Sequence, residues 1–193
     1  MAANPVTSVR GESNIKSNTT RTQIPPSALV HPSVTFTGTN RIIIGEKTII
    51  QLRSRLDATY APINIGSGSM IYERASLGFL SPPTRSTAEG IIIGDGVIIE
   101  SGALVEAASI GSHTIIEARA KIGKEAVIGD YCKICSGVVI GEKEVLAGGT
   151  VVWGSRWDQR RSERGEQEDK SRVARKLLVD GLNQGTRAIW SAK

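Results

Sequence analysis

Few side chains in the sequence have the chemistry to bind a metal or move a proton, and they are sparsely spaced. Cys132 and Cys135 form a C-x-x-C pair, and the histidines are His31 and His113. Zinc takes nitrogen and sulfur ligands in a tetrahedral array, but a single C-x-x-C does not specify such a site. A general base is most often a histidine, so His113 is the candidate for that role. We predict no metal site, no cofactor and no catalytic residue, with catalysis by His113 as the alternative.

A six-residue repeat determines where these side chains point. Aliphatic residues occur at Ile110, Ile116, Ile122 and Ile128, always six apart. Neither the helical period of about 3.6 residues nor the strand period of about 2 gives this spacing alone. The same register is found at Val30, Phe36, Ile44, Ile50, Leu56, Ile65, Ile71, Leu77, Ile93, Ile99, Val105, Ile134, Ile140, Leu146 and Val152. Repetition of this kind indicates a solenoid.

Each repeat is predicted to be a short strand followed by a turn. The residue four after the aliphatic is small or β-branched, as at Thr48, Ala103 and Cys132, and it shares a strand face with the next aliphatic. The residue directly after the aliphatic is often glycine, which suits unusual dihedral angles or a close approach of two backbones. Three repeats make a triangular coil of about 18 residues, and coils stack at ~4.8 Å. The predicted fold class is an all-β parallel solenoid filled by aliphatic ladders.

The register assigns a direction to each reactive side chain. Cys132 is inward and Cys135 lies at a corner, so the two thiols point in different directions. His113 lies at a corner that faces solvent. Glu144 falls on an inward position, where a carboxylate needs solvent or a partner. We expect it to reach water or to pair with an arginine of the C-terminal segment.

The longest interruption of the register is the sequence GFLSPPTRSTAEG, between Leu77 and Ile93. Its two adjacent prolines prevent strand pairing, so we predict a loop that projects from one corner. This loop is either a tolerated insertion or a contact and phosphorylation loop. The candidate phosphorylation sites are Ser81, Thr84, Ser86 and Thr87.

Three regions are predicted along the chain. Residues 1–22 are polar and rich in Ser, Thr and Asn, which is typical of a disordered tail. Residues 23–154 form the solenoid, and residues 155–193 form a C-terminal α-helical segment and tail. Val173, Leu177, Leu178 and Leu182 form an apolar helical stripe. We expect this helix to cover the coils or the open end, with partner binding by a free helix as the alternative.

Composition narrows the possible partners and compartments. The formal net charge is +5, but the basic residues are not interleaved with aromatics, so we predict no nucleic-acid binding. No apolar run approaches the length of a membrane span, and no leading apolar segment resembles a signal peptide. These features predict a cytoplasmic protein with no membrane insertion, in a compartment that keeps thiols reduced.

The aliphatic-glycine repeats, as in IIIGDGVIIESGALVEAASIGSHT, resemble the hexapeptide-repeat family. This resemblance implies a left-handed parallel β-helix. It also implies one of three functions: acyltransferase, zinc enzyme of the carbonic-anhydrase type, or non-catalytic scaffold. The zinc enzymes use three histidines for each metal, whereas this chain has two histidines. The acyltransferases use a histidine base between subunits, a role that His113 is the candidate to fill. The scaffold interpretation is our prediction.

The segments TIIEARAKIG and TVVWGSRWDQRRSER are similar to the two small β-helical subunits of the dynactin pointed-end complex. This resemblance implies a structural, non-catalytic subunit that pairs with a sister β-helix. It implies a place beside the other pointed-end subunits and the actin-related filament, on the cytoskeleton. An indirect role in attaching dynein adaptors and cargo would follow.

Outward aromatic and arginine residues are the predicted partner contacts, because such residues are enriched at interface anchors. Packing of the tryptophans under the C-terminal helix is the alternative. The predicted contact residues are Arg53, Arg55, Tyr72, Phe79, Trp153, Arg156, Trp157, Arg160 and Arg161.

Overall fold

The computed structural model describes residues 21–84, 90–154 and 159–161, and in these ranges every regular element is a short β-strand. Sheet A contains β1 (Thr22–Gln23), β4 (Ile42–Ile44), β7 (Ile63–Ile65), β10 (Ile91–Ile93), β13 (Ser109–Ile110), β16 (Val127–Ile128) and β19 (Val145–Leu146). Sheet B contains β2 (Leu29–Val30), β5 (Ile49–Ile50), β8 (Met70–Ile71), β11 (Ile98–Ile99), β14 (Ile115–Ile116), β17 (Lys133–Ile134), β20 (Thr150–Val152) and β21 (Gln159–Arg161). Sheet C contains β3 (Thr35–Gly38), β6 (Arg55–Ala58), β9 (Ser76–Leu77), β12 (Leu104–Val105), β15 (Lys121–Ile122) and β18 (Val139–Ile140).

Each strand up to β17 pairs in parallel with the strand three places further along the chain. One coil therefore consists of one strand from each sheet, and the three sheets form the walls of a prism. Strands β1 to β18 make six coils, and β19 and β20 begin another. The predicted parallel β-solenoid is confirmed.

Two inward rows of side chains fill the prism. The aliphatic row, including Ile110, Ile116 and Ile122, is buried in one continuous core. The row four positions later is also buried, and it contains both apolar and hydroxyl side chains. Hydroxyls there bond to backbone carbonyls, as in the 2.8 Å bond from Thr114 Oγ1 to the Gly129 carbonyl. The predicted inward pattern therefore holds in both rows of the described core.

Left-handed backbone geometry occurs mainly three residues after the aliphatic; of the described glycines directly after an aliphatic, only Gly78 has a positive φ. Eight non-glycine residues have positive φ in these turns: Lys47, Arg53, Arg74, His113, Arg119, Glu125, Tyr131 and Lys143. The turn amides bond to the preceding coil, as in the 3.0 Å bond from Arg119 N to the Ser101 carbonyl. This hydrogen bond helps to hold the residue in a conformation that costs an L-amino acid about 1–2 kcal/mol.

The glycines directly after the aliphatic serve close packing between coils. A Cβ on Gly123 would lie 2.6 Å from the Gly141 carbonyl carbon and 2.7 Å from Glu142 N. Its φ is not in the left-handed region, so unusual dihedral angles are not what requires glycine here. Of the two roles predicted for these glycines, close backbone approach is the correct one at this position.

The chain crosses from one sheet to the next at three edges, which we name A–B, B–C and C–A after the sheets they join. Within the described coils, the inward aliphatics are six residues apart across every A–B and B–C edge. Every irregular spacing falls on the C–A edge. These irregular crossings are Phe36 to Ile44, Leu56 to Ile65, Leu77 to Ile93 and Val105 to Ile110.

The longest insertion lies against the C–A edge as far as Thr84. Leu80 N donates a 2.8 Å hydrogen bond to Glu106 Oε1. Lys124 Nζ donates to Ser81 Oγ at 3.1 Å. Thr84 donates to the Glu125 carboxylate through its amide and its hydroxyl. The prediction of a projecting loop is wrong for residues 78–84, because these long-range contacts hold the segment along the coils.

The end of the chain differs from the prediction at three residues. Strand β21 pairs antiparallel with β20, with Arg161 opposite Thr150 and Gln159 opposite Val152. A helical segment and tail are predicted for 155–193, whereas residues 159–161 form a strand on the edge of sheet B. The predicted helical stripe at 173–182 and residues 1–20 of the predicted tail (1–22) lie outside the described residues, whereas Thr22 lies in β1. Among the described residues, no helix is long and apolar enough to cross a membrane.

Candidate functional site

Three predicted contact residues share the B–C edge. Tyr72 and Trp153 each occupy the position directly after an inward aliphatic, and Arg53 is the left-handed residue of its turn. From the first coil to the last, the position after the aliphatic on this edge is occupied by His31, Gln51, Tyr72, Glu100, Glu117, Cys135 and Trp153. This edge therefore carries a column of polar, titratable and aromatic side chains, whereas the matching column on the A–B edge is mostly glycine.

Tyr72 packs against the outer surface of sheet B. Ile49, Met70 and Ile98 form a buried cluster there, although their side chains point away from the prism axis. Burial raises the pKa of the Tyr72 phenol, and the negative charge of Glu100 adds to the effect. The outer face of sheet B is therefore already covered at its centre, and Tyr72 is only partly accessible to a partner.

Charged groups connect adjacent coils along the B–C edge from Glu100 onwards. Glu117 forms a 2.8 Å ion pair with Lys133 and accepts hydrogen bonds from the amide and hydroxyl of Ser136. Partial burial alone would raise the pKa of Glu117, but the bonds from Lys133 and Ser136 outweigh it and lower that pKa. Glu100 accepts a 3.0 Å bond from Ala118 N in the next coil. These carboxylates hold adjacent turns together, a structural use of titratable side chains.

Two of the arginines among the predicted contacts, Arg53 and Arg55, have different surroundings. Arg55 lies on the outer surface of sheet C and forms a 2.6 Å ion pair with Asp57, with about half of its side chain exposed. Arg53 is exposed and lies in a turn. Its backbone amide donates a 3.0 Å hydrogen bond to Ser33 Oγ. Both side chains remain accessible at the surface.

Phe79 was predicted as an outward contact, and this prediction is wrong. Its side chain is 1% exposed and belongs to the main core. The insertion that begins here lies along the C–A edge, and the aromatic ring completes the core beneath it. Trp153, by contrast, is 40% exposed. Arg156 and Trp157 lie outside the described residues, and for Arg160 and Arg161 only the backbone pairing of β21 is described.

The thiols are in environments that favour their protonated forms. Cys132 is buried, and burial raises its pKa. Cys135 is partly buried, which raises its pKa, and the charge of Glu117 adds to that shift. The predicted divergence of the two side chains agrees with their burial, since Cys132 is in the core and Cys135 is at the B–C edge. Within the described ranges, no group of three or more potential metal ligands is present.

The histidine and the unusual carboxylate both lie at turns. His113 is partly buried on the A–B edge, and its ring lies 5.1 Å from the ring of Tyr131 in the next coil. Glu144 is partly buried and accepts a 2.8 Å bond from Gly141 N through Oε2. Its carboxylate thus satisfies an amide of its own turn, which explains how an acidic residue is accommodated at a position where small residues otherwise occur.

A second surface, which the sequence reasoning missed, is the outer face of sheet A. Its outward column consists of Gln23, Ile43, Asn64, Ile92, Ser109, Val127 and Val145. None of these seven residues is charged. Ile92 and Val127 are each 38% exposed, and Val145 is 70% exposed. Counting the residue directly before each inward aliphatic would have revealed this uncharged column.

Comparison with known proteins supports the repeat assignment. The model of the bacterial transferase hexapeptide family, described as six repeats, matches residues 107–142. The chain is 28% identical over 138 residues to dynactin subunit 6 of Xenopus tropicalis, with 69% of this chain and 68% of the relative covered. It is 30% identical over 120 residues to dynactin subunit 6 of Danio rerio, with 59% of this chain and 62% of the relative covered. Both alignments leave about a third of the relative unmatched.

The fold is also found in a solved structure. A hexapeptide transferase family protein from Anaplasma phagocytophilum superposes with a TM-score of 0.72 at 14% identity, covering 85% of this chain and 92% of the other. This likeness concerns the fold, and the sequence similarity is to the dynactin subunits. The chain is therefore a parallel β-solenoid with hexapeptide repeats, and its sequence is similar to dynactin subunit 6.

Proposed function

We propose that the chain is a non-catalytic structural subunit of a dynactin pointed-end complex. The observation that carries this proposal is the sequence similarity to dynactin subunit 6 of two vertebrates. The finer proposal is that the chain pairs with dynactin subunit 5, its sister β-solenoid, beside the other pointed-end subunits and the actin-related filament. It would thereby support attachment of dynein adaptors and cargo, as part of a cytoplasmic complex on the cytoskeleton.

The exposed surface supports an assembly role. Monomeric proteins rarely expose extended apolar patches unless these bind something. The outward column of sheet A exposes Ile92, Val127 and Val145 without a charged residue among its seven members. On the B–C edge, the titratable groups Glu100 and Glu117 are engaged with backbone amides and a lysine. These surroundings suit a rigid scaffold better than a reaction centre.

The test is purification of the tagged full-length chain from cells that express it at its natural level. We expect dynactin subunit 5 and the actin-related filament proteins to co-purify, and the chain to sediment with a large complex. Recovery only as a homotrimer, with none of these proteins, would overturn the proposal.

The alternative function is acyl transfer with His113 as the base. It predicts turnover with an acyl-CoA and an amine or sugar acceptor, and loss of that turnover in His113→Ala. His113 lies beside Tyr131 on the A–B edge, with their rings tilted by 35°, so the variant should leave the core unchanged. Comparing wild type and variant therefore separates this function from the scaffold proposal.

A further inference from the structure

Exposed apolar side chains are concentrated on one side of the prism. The described residues include eight exposed large hydrophobic side chains. Five of them lie on the outer face of sheet A or on the C–A edge beside it. The five are Tyr60, Leu80, Ile92, Val127 and Val145, and the other three are Val139 on sheet C, Trp153 on the B–C edge and Ile24, which is aligned with the inward Ile44 in the first coil.

The outward column of sheet A is uncharged, and the A–B edge beside it is flat. Along the A–B edge of sheet A, the position after each inward aliphatic is Gly45, Gly66, Gly94, Gly111, Gly129 and Ala147. No long side chain rises beside the outward column at these positions, so a second protein can approach the strands closely. The depletion of charge matches the composition found at the centre of protein–protein interfaces.

The other two sides are less suited to docking. On sheet B, the outward residues Ile49 and Met70 are each 1% exposed, so that surface is already covered. On sheet C, the outward positions include the Arg55–Asp57 ion pair and Lys121. Burying those side chains would remove water from both positive and negative groups. Only a partner with closely matched charges and hydrogen bonds could offset that cost.

We propose that the outer face of sheet A, with the adjoining C–A edge, is the docking face for a second parallel β-solenoid lying side by side with this one. The inference rests on the proposed pairing with dynactin subunit 5 and assigns that pairing to one face. A parallel solenoid is the fitting occupant because its own flat wall repeats at the same ~4.8 Å spacing, so its side chains can follow the column along its whole height.

The size of the face meets what such an interface requires. Seven strands separated by ~4.8 Å give a height of ~29 Å, and about five residues across the wall at ~3.3 Å give a width of ~17 Å. The product is about 500 Å² for each partner, or about 1,000 Å² in total, near the lower bound for a specific interface. The insertion at 78–84 lies along the C–A edge and widens this surface.

The C–A edge also has irregular features that can distinguish this solenoid from others of the same type. All four irregular crossings among the described coils fall on this edge, whereas the other two edges keep a spacing of six. Regular walls look alike in any solenoid of this type, so discrimination between partners must come from irregular features. Tyr60 and Leu80 project from two of these crossings and are 43% and 62% exposed.

Two matched valine substitutions test the face. Val127 on sheet A and Val139 on sheet C lie in the same coil, each directly before an inward isoleucine. Purified full-length Val127→Asp and Val139→Asp would be compared with wild type for binding to dynactin subunit 5 by titration calorimetry. We expect Val127→Asp to weaken binding at least ~100-fold, because it leaves an uncompensated charge in the interface. We expect Val139→Asp to bind within about 3-fold of wild type.

A second variant helps to distinguish loss of binding from loss of folding. Ser109→Arg places a long cation at the middle of the same column on a partly exposed position, and circular dichroism would confirm that each variant remains folded. Ser109→Arg should also abolish binding. Normal binding by folded Val127→Asp or Ser109→Arg would overturn the assignment to sheet A and leave the pairing itself intact.

The remaining outcomes separate the two proposals. Failure of wild type to bind dynactin subunit 5 would refute the proposed function and this partner together. A wild-type homo-oligomer that Val127→Asp disperses would overturn the inference by showing that a second copy occupies the face. Equal loss of binding in Val127→Asp and Val139→Asp, with both folded, would overturn it by extending the interface to sheet C.

Discussion

Replacing two glycines by alanine should separate the two backbone requirements of the solenoid. Gly123 packs against the next coil, where an added Cβ would lie 2.6 Å from the carbonyl carbon of Gly141. Gly137 has φ +71°, and an added Cβ there would meet no atom within 4 Å. The first variant therefore tests steric exclusion between coils, and the second tests backbone conformation alone.

The expected magnitudes follow from these distances. Relieving the Gly123→Ala contact to an ordinary ~3.5 Å requires the coils to separate locally by about 0.9 Å. This would break the 2.9 Å bond from Gly123 N to the Ile140 carbonyl. Overpacking and an unsatisfied amide together cost about 3 kcal/mol. For Gly137→Ala, left-handed strain of about 1–2 kcal/mol is offset by about 0.4–1 kcal/mol from a less flexible unfolded chain.

The assay is thermal and urea unfolding of both variants, followed by circular dichroism. We expect Gly123→Ala to lower Tm by about 6–12 °C and Gly137→Ala by about 1–4 °C. If Gly137→Ala proves the more damaging variant, then the assignment of close approach to one glycine and conformation to the other is incorrect. Equal, small losses in both would show that the coils can separate without cost.

Three further outcomes are expected. Ile122→Asp should prevent folding, because it replaces burial worth about 1.5–3 kcal/mol with a buried charge, whereas the exposed neighbour variant Lys121→Ala should shift Tm by less than about 2 °C. The pKa of Glu117 is lowered in the folded state, so the contribution of Glu117 to stability is complete above the ordinary pKa of a glutamate and is lost as the pH falls below that value. In a plot of stability against pH, Glu117→Gln should therefore reduce the loss of stability at acid pH. An unchanged loss would contradict the assignment. Thr84→Val removes the hydroxyl bonds to Glu125, so amide exchange measured by mass spectrometry should accelerate across residues 80–84, and unchanged exchange would show that other contacts hold the segment.

The inward ladders were predictable because their physical cause is repeated in every coil. Burial of Ile110 or Ile122 depends on a period that the sequence states many times, so isolated irregularities do not obscure it. The position of Phe79 was not predictable, because it lies in an insertion where no period applies and its burial depends on where the following residues go. Residues such as Thr84 meet partners about forty positions away, which local sequence signals do not encode.

The turn geometry was misassigned for a different reason. Glycine is the usual signal for positive φ, but many left-handed positions here are occupied by residues such as Arg119 and Lys143. Their conformation is held by amide bonds to the preceding coil, as from Lys143 N to the Lys124 carbonyl at 2.8 Å. Tertiary hydrogen bonding thus overrides the local preference, and the glycine signal marks steric crowding instead. The outward column of sheet A was not predicted, because its exposed side chains are aliphatic, whereas the contact prediction rests on aromatics and arginines.

The antiparallel pairing of β21 on β20 limits how copies of this molecule can grow into fibres. A solenoid ending in bare parallel strands offers a template on which the first coil of another copy could continue the same ladder. Here the last rung of one wall is followed by a strand running the opposite way, from Gln159 to Arg161. An incoming coil would find the wrong direction on that wall, so head-to-tail polymerisation is disfavoured and contacts along the sides are the route left for building larger particles.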